Sequence, residues 1–140
     1  PEAKVTTPIT AAMKAFNHLG LKKIAVLTPY PKDVNATVYN YLIDNNINID
    51  SFSSFNLEYD SEIAQVSLAS LEKEISKIDL SNVDGLFVSC TALKIVDVLD
   101  RVESSQNTVV ISSNQAIIWD CLRSVGIDSK IKGYGKLFLN

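Results

Sequence analysis

Apolar residues along this chain follow two alternating rhythms, a helical spacing of three to four and short runs of strand type. Thr6-Thr7-Pro8 supplies a hydroxyl for a helix N-cap and a proline for the first helical position. Ile9, Ala12, Met13, Phe16 and Leu19 follow at helical spacing, and Gly20 stops them. Residues 23–27 read as a buried strand that ends in the loop Thr28-Pro29-Tyr30-Pro31. A helix over about residues 33–45 carries Val34, Val38, Tyr41 and Leu42 on one face. Ile47, Ile49 and Phe52 alternate with polar residues in a strand that runs on to about Leu57. Asp60 or Ser61 then caps a long helix with Ile63, Val66, Leu71 and Ile75 inward. Residues 83–89 form a third strand, and the run from Ala92 opens a helix that ends near Glu103. Residues 108–111 form a fourth strand. Ser112-Ser113-Asn114 caps a last helix holding Ile117, Ile118, Cys121, Leu122 and Val125, stopped by Gly126. The tail over residues 131–138 fits neither rhythm and is expected to dock on something outside this chain.

One helix followed by four strand-helix units with short connections predicts a parallel sheet covered on both faces. Right-handed crossovers make this a doubly wound α/β fold, a three-layer αβα sandwich on a four-stranded parallel sheet. No internal repeat, low-complexity stretch or linker divides residues 1–140, so a single domain is expected.

Composition changes this picture little. With 46% hydrophobic and 21% charged residues in 140, the chain can bury a real core. A net charge of −3 and the absence of a Lys/Arg cluster argue against a nucleic-acid partner. No apolar stretch approaches the roughly 20 residues a membrane span needs. Two cysteines in apolar surroundings make no disulfide framework and suggest a reducing, cytoplasmic setting. The chain begins at Pro1 and runs almost at once into a helix start, as expected of a piece processed or excised from something longer.

In a sheet of this kind the carboxyl ends of the strands gather at one edge, where ligands bind. The loops there carry Thr28-Pro29-Tyr30, residues 56–60, Ser89-Cys90-Thr91 and Ser112-Ser113-Asn114-Gln115. The only histidine, His18, lies on the first helix far from this edge, which excludes serine and cysteine hydrolase triads. No Cys/His pair has zinc-ligand spacing, and no post-strand loop has the glycines of a phosphate or dinucleotide site. What remains fits a small anion. The amides of Thr91 and Ala92, at the expected helix start, and the hydroxyls of Thr28, Thr91 and Ser113 can hold a carboxylate. Cys90 would then act on the adjacent carbon. Its other reading is a small buried residue ending a core strand. Tyr30, held between two prolines, is expected to face the crevice, with Asn35 either reaching the site or supporting the loop. Cys121 is expected to pack as a structural residue on the apolar face of the last helix, His18 to lie at the surface, and Trp119 in the core or an interface.

Four ordered motifs give a further indication. Val5-Thr6-Thr7-Pro8, Leu27-Thr28-Pro29-Tyr30 with Val34-Asn35, Ser89-Cys90-Thr91, and Ser113-Asn114-Gln115-Ala116 with Trp119 and Leu122-Arg123 occur in this order in a known group. The chain resembles the maleate cis-trans isomerase and arylmalonate decarboxylase branch of the Asp/Glu racemase superfamily. That resemblance spans almost the whole chain, through Gly133-Tyr134-Gly135-Lys136-Leu137. It implies two similar α/β domains with the active site in the cleft between them, and no metal or organic cofactor. Cys90 matches the second-domain cysteine, Tyr30 a tyrosine that contacts a substrate carboxylate, and Asn56 falls near a family asparagine of similar role. The chain would then be the carboxy-terminal half of a two-domain enzyme, lacking the amino-terminal domain and its cysteine.

Thr91 directly after the cysteine resembles the isomerase side, where decarboxylases tend to have glycine. The expected activity is therefore cis-trans isomerisation of a maleate-like dicarboxylate with Cys90 as acid/base. Decarboxylation, racemisation and non-catalytic binding of a small acid are the alternatives. Expected partners are a small dicarboxylate, the missing amino-terminal domain and further copies of the chain in a homo-oligomer, with neither nucleic acid nor membrane.

Overall fold

The computed structural model describes residues 3–140. Its elements run α1 (Pro8–Leu19), β1 (Lys23–Thr28), α2 (Lys32–Asp44), β2 (Asn48–Ser54), α3 (Asp60–Ile63), α4 (Leu68–Ile75), β3 (Gly85–Val88), α5 (Leu99–Gln106), β4 (Val109–Ser112) and α6 (Ser113–Ser124). Short 3-10 turns lie at Ile95–Asp97 and Lys136–Leu139. The four strands are parallel, as the alternation of strands and helices predicts, and lie in the order β2-β1-β3-β4.

Period-two alternation divides the core into two layers. Ile24, Val26, Phe87 and Ile111 face α1, α2 and α6, where they meet Ala12, Phe16, Leu42 and Trp119. Ala25, Leu27, Leu86, Val88 and Val110 face the other way, onto Ile63, Leu71, Ile75 and Leu99 of α3, α4 and α5. The three-layer sandwich follows from strands that are apolar on both faces.

Two expected helices differ from the sequence reading. The long helix after Asp60 is two, because the Ser67 hydroxyl accepts the Ser70 N–H (3.1 Å) and caps a fresh start. The helix expected from Ala92 begins only at Leu99. Leu93, Ile95, Val98 and Leu99 are all buried. Residues 93 and 95 point to opposite sides of any helix, so burying both requires a turn and a 3-10 segment instead.

The tail docks on the chain's own core, contrary to expectation. Leu137 and Phe138 are buried with the α1/α6 layer. The Gln115 side chain donates to the Tyr134 carbonyl (2.6 Å), and the Glu103 carboxylate accepts the Lys136 N–H (2.8 Å) and the Val110 N–H (2.9 Å). Burial pushes the Glu103 carboxyl up, against the lowering effect of those two amides and of Lys136. Gly135 sits at φ +82°, and a Cβ there would lie 2.3 Å from Leu99 Cδ2. At the amino ends of the two central strands, Asp84 Oδ2 accepts the N–H groups of Lys22 (2.9 Å) and Lys23 (2.8 Å), tying the approach to β3 to the start of β1.

Gly135→Ala is expected to destabilise the protein by about 2–3 kcal/mol, combining overpacking with an unfavourable φ. Denaturant titration checks this, with Gly133→Ala, at a site of positive φ but open space, as the milder comparison. Asp84 supports a pH prediction. The amides of Lys23 and Lys22 hold its carboxyl below the usual range. A carboxylate with a lowered folded-state pKa stabilises above its unfolded value and loses that contribution as pH falls through the folded one. Asp84→Asn is therefore expected to cost about 0.5–1 kcal/mol at pH 7, after allowing for its exposure, and nothing once the pH is below both values. Melting temperatures of the two proteins across that range make the comparison.

Candidate active site

The site follows from the topology. β1 and β3 are neighbours, but β1 connects through α2 to β2 on one side, while β3 connects through α5 to β4 on the other. Their connections leave in opposite directions and across opposite faces, opening a crevice between the two carboxyl ends. Pro29-Tyr30 enters it from β1 and Ser89-Cys90-Thr91 from β3. A cavity of about 330 Å³ lies there. Tyr30, Ser89, Cys90, Thr91 and Ser113 line its polar side, and Pro8, Ile9, Val38 and Tyr41 its apolar side.

Cys90 has a φ of +134°, in a region L-residues rarely occupy. Its N–H donates to Ser113 Oγ (3.1 Å), and its sulfur accepts the Ala92 N–H (3.3 Å). One residue on, the Asn114 side-chain amide donates to the Thr91 carbonyl (2.8 Å). Cys90 is 7% exposed. The helix start that sequence places directly after it is absent, since residues 91–94 are turn and loop. The helix terminus beside the thiol is instead that of α6. There Ser112 and Gln115 form a reciprocal capping box and Ser113 is the first helical residue.

Tyr30 is half-buried and its loop is pinned from behind. Its carbonyl accepts from Asn35 Nδ2 (2.8 Å) and Ser54 Oγ (2.6 Å), so Asn35 supports the loop. Burial first, then the neighbouring Cys90, pushes the Tyr30 phenol up to about 12. Below that pH it remains a neutral hydrogen-bond donor beside the sulfur.

The other expected site residues divide. Thr91 and Ser113 line the cavity. Ala92 does not line it, but its amide serves the sulfur. Thr28 is fully buried, and its hydroxyl is engaged with Asn35 and with Ser54 Oγ (3.2 Å), so it is scaffold beneath Tyr30 and does not face a ligand. Asn56 is exposed at φ +53°, its side chain turned back to the Ser54 carbonyl, and it does not line the cavity. Sequence reasoning did not place Ile9, Ser54, Val38 or Tyr41 at the site, giving Val38 and Tyr41 only a shared helix face. The stripe Val34, Val38, Tyr41 was visible, but only Leu42 of α2 is buried.

A second cavity of about 560 Å³ lies between α1 and α6, lined by Lys14, Asp120 and Cys121 among others. Lys14 is already paired with Asp120 there (2.8 Å). Cys121 is exposed, which corrects its expected packing. It lies two residues beyond the buried Trp119, on the opposite side of the helix. His18 is exposed at the end of α1, beside Trp119 and away from the crevice. Among the described residues no group of acidic, histidine and cysteine side chains could hold a metal ion, and no helix is long and apolar enough to cross a membrane.

The sequence profile of the arylmalonate decarboxylase family matches residues 2–138. The chain is 30% identical to arylmalonate decarboxylase of Bordetella bronchiseptica, over 95% of this chain and 57% of that protein. It is 23% identical to maleate isomerase of Geobacillus stearothermophilus, over 96% of this chain and 54% of that protein. Among solved structures, a mutant of Nocardia farcinica maleate cis-trans isomerase with a covalently bound succinylcysteine intermediate superposes with a TM-score of 0.90 at 20% identity. That match covers 94% of this chain and 54% of the other. The chain thus spans about half the length of the relatives it matches.

The backbone at Cys90 can be tested directly. At an ordinary position alanine is more stable than glycine by about 0.5–1 kcal/mol. At φ +134° the order is expected to reverse, with Cys90→Gly more stable than Cys90→Ala by about 1 kcal/mol in chemical denaturation.

Proposed function

The chain belongs to the arylmalonate decarboxylase family, in the Asp/Glu racemase superfamily, and we propose that it carries the Cys90 half of an active site for proton transfer next to a carboxylate. The observation that supports this most is the meeting of Cys90 and Tyr30 at one cavity, at the ends of strands whose connections diverge. A thiol can take or give a proton, and a neutral phenol with the Thr91 and Ser113 hydroxyls can hold a carboxylate beside it. No cofactor is needed for this chemistry, and a second α/β domain completes the site.

The leading activity is cis-trans isomerisation of a maleate-like dicarboxylate. A thiolate of the amino-terminal domain adds to one alkene carbon, and the π electron pair passes to the neighbouring carbon, which takes the Cys90 proton. The new single bond rotates. Cys90 then removes that proton, the double bond re-forms, and the attacking sulfur leaves with its electron pair. Thr91 directly after Cys90 favours this branch. The succinylcysteine intermediate in the Nocardia farcinica enzyme is in keeping with thiol addition within the superfamily. Arylmalonate decarboxylation is the second reading. It is favoured by the 30% identity to the Bordetella bronchiseptica enzyme and by the apolar wall of Ile9, Val38 and Tyr41.

The full-length protein is expected to convert maleate to fumarate, followed by the change in ultraviolet absorbance. Cys90→Ala is expected to lower the rate by about 10²–10⁴-fold, the usual worth of a positioned acid/base. Carbon dioxide release from an arylmalonate without fumarate formation would replace isomerase by decarboxylase. Turnover of either substrate that survives Cys90→Ala would overturn the role given to the thiol.

A further inference from the structure

We propose that Ser113 and Asn114 are positioning residues that clasp the Cys90-Thr91 dipeptide from both sides and so aim the thiol into the cavity. The inference rests on the reading of Cys90 as the reacting group. A residue at φ +134° persists only where its surroundings over-determine it. Here the first two residues of α6 supply that constraint. Ser113, 3% exposed, accepts the Cys90 N–H at 3.1 Å, and Asn114 donates to the Thr91 carbonyl at 2.8 Å. Between them the chain turns back, so that the Ala92 N–H reaches the sulfur.

The clasp bears on where the side chain sits. Cys90 packs in the same layer as Leu86 and Val88, and the turn also brings it to the wall of the cavity, so that it stands between the two. The capping box of Ser112 with Gln115 fixes the start of α6, and Gln115 also holds the Tyr134 carbonyl at 2.6 Å. The clasp is therefore anchored to the tail as well as to β4. Among the described residues Ser113 Oγ accepts the Cys90 N–H alone and donates to none, which leaves its hydrogen available to a ligand.

Cys121 makes the test internal, since it is exposed and lies on the far side of the same helix from the buried Trp119. Iodoacetamide labelling of the two thiols in one sample, read by peptide mass spectrometry, gives a Cys90:Cys121 rate ratio. Ser113→Ala and Asn114→Ala are each expected to lower this ratio at least about fivefold, as the thiol withdraws from the cavity wall into the layer it already packs against, equivalent to about 1 kcal/mol. Ser113→Thr, which keeps the acceptor oxygen, is expected to retain the wild-type ratio. In the active full-length protein Asn114→Ala, at a residue that does not line the cavity, should lower kcat with little change in KM. A ratio unchanged within twofold in both alanine variants overturns the clasp, and so does a rise toward the ratio of the unfolded chain. Absence of any turnover in the wild type would count against the functional reading alone, because the labelling ratio still decides the clasp.

Discussion

The structure depends on one constraint, that β1 and β3 lie side by side while the chain leaves them in opposite directions. Right-handed crossovers then send α2 over one face and α5 over the other, and among the described residues no element closes the gap between the two strand ends. Everything that reaches the crevice does so because of this divergence. Tyr30 arrives on a loop pinned by Asn35 and Ser54, and Cys90 on a turn held by the start of α6. The two sides of the site therefore have independent supports. A change in β2 would reach Tyr30 through Ser54, and a change in β4 would reach Cys90 through Ser113.

The cavity also shows what kind of recognition the fold provides. Among the described residues no Asp, Glu, Lys, Arg or His lines it, and the Tyr30 phenol, pushed up to about 12, stays neutral at neutral pH. A carboxylate would be held by hydroxyls and amides against an apolar wall. Neutral donors hold a carboxylate less tightly than a guanidinium does, and they leave the proton inventory at the crevice to the thiol.

Much of the fold was legible because strands apolar on both faces leave little choice of architecture, and Cys90 and Tyr30 were legible because strand ends and rigid post-strand loops are local features. The errors share a cause. The run from Ala92 read as a helix, but Leu93 and Ile95 are both buried, and tertiary burial overrode the local rhythm. Thr28 and Asn56 have suitable chemistry in suitable loops. Which way a side chain turns depends on partners such as Ser54 from another strand, and no local pattern encodes that. Val38 and Tyr41 were legible as one helix face but not as part of the site, since an apolar stripe on a helix reads the same whether it lines a core or a cavity. The tail was unreadable because its anchors, Glu103 and Gln115, are polar groups whose use appears only once α5 and α6 are side by side.

The docking of that tail bears on how the chain is made. Phe16 and Ala12, on the first helix, share a core layer with Leu137 and Phe138. During synthesis the sheet and the α3/α4/α5 layer can assemble as each unit emerges, but the other layer stays open until residues 137 and 138 have left the ribosome. Until then α1 and α6 present an apolar seam, and a nascent chain halted before that point would be a ready client for chaperones.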